Sequence, residues 1–352
     1  MLTRFRALLA GLIVLGWTSA AAAQTAYITN NGANTVSVIN TVTNTVTQTV
    51  TVGANPYGVA ISPDAASVYI TNSGGNTVSV IDTSTKTVLA TIGVGAFPVS
   101  AAFNPSGSRA YVANYNGQTL SVIDTGTRSL IATIALGGRP VGVAVTPNGG
   151  RVLVSIDNTS SVTIIDTATN GVVGNVPVGN NPFGLVVSAD GSTAYTANIG
   201  AGTVSVVNVA AGTLTSTYTV GTSPIALAIT PDGSRLYVSN LNGNTVSVLN
   251  AATGALIATV PVPSAPLGVS ITPDGSRAYV ARRDANAVAV INTATNTVTT
   301  SVPVGNQPHA FGQFIAAAPQ PVPTLSEWAL FAFGTILAAG AALYIQRRRL
   351  IA

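Results

Sequence analysis

The chain of 352 residues has no cysteine, one histidine and one glutamate, and only 7% of its residues are charged, against roughly 25% in an ordinary soluble domain. Without cysteine there is no disulfide, thiolate nucleophile, zinc ribbon or iron–sulfur ligation. His309 alone cannot build a multi-histidine metal site. The lone Glu327 lies near the C-terminus, so paired carboxylates for general acid–base work would have to come from aspartates. Trp17 and Trp328 sit in the terminal segments, which leaves Tyr and Phe as the only aromatic platforms in the body of the chain. No phosphate loop, dinucleotide fingerprint or nucleophile elbow is present, and a Ser-His-Asp triad would have to use His309. These absences predict no cofactor and no metal.

The net charge of +4 and the basic pI of about 9.6 suggest a polyanionic partner until the charges are located. Arg4 and Arg6 stand at one end, and Arg347, Arg348 and Arg349 at the other. Setting these and Glu327 aside leaves nine basic residues and nine aspartates, a neutral body. Nucleic-acid affinity rests on clustered Lys and Arg, so this composition excludes a nucleic-acid partner.

The arginines mark addresses. Residues 1–23 run from Arg4 and Arg6 through an apolar stretch to a small-residue string ending Ala21-Ala22-Ala23, the pattern of a secretory signal peptide cleaved before Gln24. Near the other end, Ala329–Ile345 is an uncharged apolar run of 17 residues. As a helix it would reach about 26 Å, the short end of a bilayer span. Residues 329–346 are therefore expected to form a transmembrane helix, with 347–352 as a cytoplasmic basic tail and everything before it on the outer side. Residues 317–328 form a linker containing Val322-Pro323-Thr324-Leu325-Ser326-Glu327-Trp328. Motif, apolar helix and arginine cluster in this order resemble the IPTL-CTERM protein-sorting signal of Gram-negative bacteria, with Val322 where Ile is usual and Ala329 where Gly is common. The resemblance implies recognition by an exosortase-like membrane enzyme, cleavage near the motif, and delivery to the cell envelope or surface.

Between the ends the chain repeats itself. Tyr27-Ile28-Thr29-Asn30 recurs every 42 residues, at Tyr69, Tyr111, Leu153, Tyr195, Tyr237 and Tyr279, and the fourth copy departs from the pattern with Leu153 and Ile156. Prolines keep the same step at positions 56, 98, 140, 182, 224, 266 and 308. Each unit holds four short runs rich in Val, Ile, Thr and Tyr, separated by Gly, Asn, Asp and Pro, which is strand and turn chemistry. Seven four-stranded units in 24–316 predict an all-β, seven-bladed β-propeller. The phase of the repeat predicts its closure, because the first unit lacks a Pro-led strand and the last, His309–Ile315, is left over to complete the first blade. A linear β-solenoid is the alternative, and it gives no reason for that offset. The Tyr-Val-Thr-Asn-like strings, Pro-x-Gly-Val-Ala strands and Pro-Asp-Gly-Ser turns resemble the YVTN family of β-propeller repeats over about residues 25–316. That resemblance implies an exported cell-surface propeller.

The Pro-led strands are expected innermost. The residues after the prolines, including Tyr57, Phe183 and His309, then ring one mouth of the central channel, and Arg282, Arg283 and Asp284 form the densest ionisable cluster beside them. These six residues are the candidate ligand contacts. Asp64, Asp190, Asp232 and Asp274 recur at one position, but in separate blades and in turns where Asp caps its own backbone, so they read as turn formers rather than calcium ligands. The functional expectation is a non-catalytic binding or structural surface module whose ligand is an extracellular or periplasmic protein or glycan. A lactonase-like enzyme using His309, Arg282 and Asp284, or a scaffold subunit of an envelope complex, are the alternatives.

Overall fold

In the computed structural model, which describes residues 24–316, 28 strands form seven four-stranded antiparallel sheets. The expected signal peptide 1–23, linker and sorting motif 317–328, transmembrane helix 329–346 and tail 347–352 lie outside the described residues. Among the described residues no helix is long and apolar enough to cross a membrane. The second blade shows the pattern: Pro56–Ile61 innermost, then Ser67–Asn72, Thr77–Asp82 and, at the rim, Thr87–Gly93.

Burial follows position in the blade. The two middle strands are covered on both faces by neighbouring blades, so they read as near-continuous apolar or small-residue runs. The outer strand is exposed except for one side chain, Ile92 in this blade and Val50, Ile134, Val176, Tyr218, Val260 and Val302 in the others. Each outer edge carries a register shift, at Val80/Ile81 and its six equivalents, and such bulges make a bare edge a poor template for further pairing.

The repeated tyrosine and asparagine have structural tasks. The rings of Tyr27, Tyr69, Tyr111, Tyr237 and Tyr279 are fully buried between blades. Tyr279 donates its hydroxyl hydrogen bond to the Thr41 carbonyl, from the last blade to the first, at 3.1 Å. The Asn72 side-chain amide donates to Thr77 and Ser79 of the adjacent strand at 3.0 and 2.9 Å, and Asn30, Asn114, Asn198 and Asn240 repeat this pairing. Gly53 of the preceding loop packs so closely on Asn72 that a Cβ there would lie 2.6 Å from the amide. In the last blade the whole set changes together: Arg282 replaces the asparagine, Ala287 and Ala289 replace the hydroxyl residues, and Pro263 stands in the loop.

Closure occurs where the phase places it, with Ile315–Ala316 pairing Thr25–Ala26 in the first blade. The expected continuous strand from His309 to Ile315 is interrupted. Pro308 bridges Asn30, Phe311 bridges Gly58 of the next blade, and only Ile315–Ala316 forms a ladder. The cause is length. Ile61 pairs Val68 five positions after Pro56, whereas the equivalent pairing of Ile315 with Ala26 comes seven positions after Pro308.

Candidate functional site

The two additional residues of the closing segment have to leave the sheet. Ala310 and Gly312 adopt φ of 52° and 99°, and the chain between them turns into the centre of the ring. The excursion is pinned by main-chain hydrogen bonds from Val59 N–H to the Phe311 carbonyl, 2.7 Å, and from Gly268 N–H to the His309 carbonyl, 3.0 Å. Phe311 is thereby buried among aromatic side chains. It stacks on Tyr57 with centroids 5.1 Å apart and planes 8° from parallel, and Phe183 lies against it at 5.3 Å. The aromatic group closes one end of the central channel.

Beyond it the channel is a cavity of about 380 Å³ walled by the inner strands of six blades and by Phe311, Gly312 and Gln313 of the closing segment. It runs from Tyr57, Phe183 and Phe311 to the turns at Pro63, Asn104 and Pro105, on the face that carries the Pro-Asp-Gly turns. Its walls are mostly aliphatic and aromatic side chains and backbone, with the polar side chains of Ser100, Asn104 and Gln313 among them. Among the described residues Tyr57 is the only titratable one lining it, and burial pushes that phenol far above its ordinary pKa, so it stays neutral.

The six candidate contacts divide between the aromatic group and the rim beyond it. Tyr57 and Phe183 line the cavity. The His309 ring rests on Tyr57 at 4.8 Å, and its Nδ1–H donates to the Gln307 carbonyl at 2.9 Å. Arg283 pairs with its neighbour Asp284 at 2.8 Å, which holds that carboxyl below the usual range. Arg282 turns instead to the Pro263 carbonyl and the Ser301 hydroxyl, at 2.8 and 3.1 Å.

His309 supplies a pH signature. Burial of the ring, with Arg283 nearby, lowers its pKa below the ordinary value of about 6.5, and the Gln307 carbonyl opposes this only in part. The folded protein therefore binds fewer protons than the unfolded chain below about pH 6.5, and stability falls as pH drops through that range. The turn aspartates contribute little there, because hydrogen bonds hold Asp82, Asp190 and Asp232 near 2. We expect the unfolding midpoint of the wild type to drop between pH 7.5 and 5.0, and that of His309→Phe to drop less. A proton NMR titration of the ring should give a midpoint under 6.5; one at or above it would contradict the burial argument.

A second polar cluster sits where the repeat departs from pattern. Asp157, next to Ile156, accepts from the Tyr115 hydroxyl at 2.8 Å and the Asn181 amide at 2.7 Å, and pairs with Arg139 at 3.2 Å. The Arg139 guanidinium lies 5.1 Å over the Tyr115 ring. The sequence reading did not assemble this group, although the loss of asparagine at position 156 marked the place. With it every aspartate in the described residues is accounted for. Asp64, Asp190, Asp232 and Asp274 accept from the Ser or Thr two residues earlier and from the turn N–H two residues later, as expected of turn formers. Asp82, Asp124 and Asp166 accept from the N–H groups of their own turns. Among the described residues no three His, Asp or Glu side chains gather as metal ligands.

Comparison with known proteins adds family and address. The model of the choice-of-anchor I domain matches residues 99–314, that of the YNCE-like β-propeller matches 9–108, and the IPTL-CTERM motif matches 320–349. No curated protein matches the chain in sequence. Among solved structures, a functionally unknown protein from Desulfotomaculum acetoxidans superposes with a TM-score of 0.71 at 18% identity, over 82% of this chain and 99% of that one. A protein assigned as a 6-phosphogluconolactonase from Bacteroides fragilis gives 0.68 at 21% identity, over 83% and 98%. Hydrazine synthase of Kuenenia stuttgartiensis gives 0.66 at 22%, over 72% and 88%. At these identities the likeness shows the propeller fold alone.

Proposed function

The chain belongs to the choice-of-anchor I domain family, and on that premise we propose that it is an exported, envelope-sorted propeller acting as a non-catalytic binding or structural surface module. The observation that carries this reading is a pairing. An IPTL-CTERM motif follows the propeller at 320–349, and within the propeller all nine aspartates are committed to turns or ion pairs, none of them lining the central cavity. Acid–base chemistry near neutral pH most often uses a histidine or carboxylate free to reach the substrate, and the Tyr57 phenol in the cavity is held neutral by burial. Here His309 lies against Tyr57, outside the cavity wall. The partner in sorting is an exosortase-like enzyme acting at Val322–Trp328, with the membrane engaged through 329–346.

Intact mass and cell fractionation of the protein in its host test the address, beside a Pro323→Ala and Trp328→Ala double variant. The expected product starts near Gln24, ends near Thr324 and reaches the envelope or medium only when the motif is intact. A species that retains Arg347–Arg349 and ignores the motif changes would replace this reading with a plain membrane-anchored periplasmic propeller.

A lactonase-like reading has in its favour the Bacteroides fragilis structure, whose assigned activity is that of a 6-phosphogluconolactonase. The purified chain is expected to hydrolyse no lactone above the buffer rate. Hydrolysis that disappears in His309→Ala would restore the enzyme.

A further inference from the structure

We propose that the central channel is a binding site for an uncharged, largely apolar small molecule bearing one polar group. Three observations carry it. The cavity, about 380 Å³, falls within the roughly 300–1,000 Å³ of sites that hold small organic ligands. Its closed end is a built wall, because the extra length of the closing segment serves to place Phe311 between Tyr57 and Phe183. And the largely apolar wall, whose Asn104 and Gln313 amides are engaged with Ser106, Ser108, Arg109 and Ile315, carries one unpaired hydroxyl. Ser100 lines the cavity, is 7% exposed, and its Oγ makes no hydrogen bond to any described residue.

Ser100 is an exception within the repeat. The equivalent position two residues after the proline is Gly58, Gly142, Gly184, Ala226, Gly268 and Ala310 in the other blades. In those with Gly58, Gly142 and Ala226 the backbone N–H is taken by a Thr or Ser hydroxyl of the next strand. In the third blade the residue facing Ser100 is Ala113, which has no hydroxyl to offer. An alcohol or ketone oxygen on an otherwise apolar ligand satisfies the Ser100 hydroxyl, while the wall offers no charged group to balance an ion, whose desolvation would go uncompensated. The site is independent of the sorting reading, since it is measured on the isolated chain.

The test uses the full chain in lipid nanodiscs, with empty nanodiscs as blank and the neutral fluorophore N-phenyl-1-naphthylamine as probe. Saturable binding above the blank is expected, with displacement by naphthalene and 1-naphthol and at least tenfold weaker displacement by 1-naphthoate. Ser100→Ala should weaken 1-naphthol roughly three- to tenfold, the worth of one hydrogen bond, and leave naphthalene unchanged. Ala102→Leu and Val145→Phe, at half-buried wall positions, should abolish probe binding while keeping the circular dichroism and unfolding midpoint of the wild type. No saturable signal, equal binding by a folded wall-filling variant, or naphthoate competing as well as naphthol would each overturn the proposal. The charge comparison needs only the wild type, so it stands even if a variant fails to fold.

Discussion

Gly268→Ala is expected to destabilise the protein by about 3–4 kcal/mol, combining overpacking against a rigid neighbour with the loss of one main-chain hydrogen bond. A Cβ at this position would lie 1.9 Å from the Ala310 carbonyl oxygen and 2.6 Å from that of His309. Both are backbone atoms, so no side-chain rotation relieves the contact. The position does not require glycine in general, because Ser100 and Ala226 occupy its equivalents. What forbids a side chain at 268 is the bulged closing segment, which approaches this strand closely enough for Gly268 N–H to reach the His309 carbonyl. Gly93, in an outer strand with nothing within 4 Å of its missing Cβ, provides the control, and Gly93→Ala should change stability by less than about 0.5 kcal/mol. Urea unfolding of the two variants decides the matter, and equal midpoints would mean that the segment can step aside without cost.

Phe314→Ala is expected to cost about 3–5 kcal/mol, in the upper range for emptying a buried aromatic site. Phe314 is fully buried in a core that draws Tyr279 and Val290 from the last blade, Ala26 and Val38 from the first, and Val59 and Val68 from the second. It also accepts the Tyr27 N–H through its carbonyl. A void here lies where the ring is closed by a two-residue ladder rather than by a full strand. Amide exchange at Ala26 and Tyr27 in the variant should therefore quicken more than exchange in blades across the ring, and the exposed edge of Thr25–Asn30 should promote association. Uniform quickening in all blades would show that the ring unfolds as one unit.

The fold was legible because its chemistry recurs. The 42-residue step of Tyr27, Asn30 and Pro56 reports blade interfaces, strand clamps and inner-strand starts, and the phase of that step gave the closure of the first blade by C-terminal residues. The plug was harder to read. The extra length between Pro308 and Ile315 is countable, yet a repeat pattern rewards alignment of the proline and says nothing of where surplus residues go. Their course depends on Gly268 admitting a foreign backbone. Tyr57, Phe183 and His309 were picked out as a ring after the prolines, but Phe311, which joins the first two, falls outside that register. The Tyr115–Arg139–Asp157–Asn181 group was missed for a different reason: its members come from three blades and fill only two repeat positions, 115 with 157 and 139 with 181, at which the other blades carry varied residues, so no recurring pattern singles them out.

The seam also has a mechanical meaning. The chain leaves the propeller at Ala316, directly opposite Thr25 on the neighbouring strand. Tension applied through whatever holds the segment beyond it would fall first on the pairing of Ala316 and Ile315. The next obstacle is the Phe314 ring locked between three blades, and after it the loop anchored at Val59 and Gly268. The short ladder acts as a weak outer link and the aromatic as the bolt behind it, so a tethered copy would yield in discrete steps while the other six blades keep their shape.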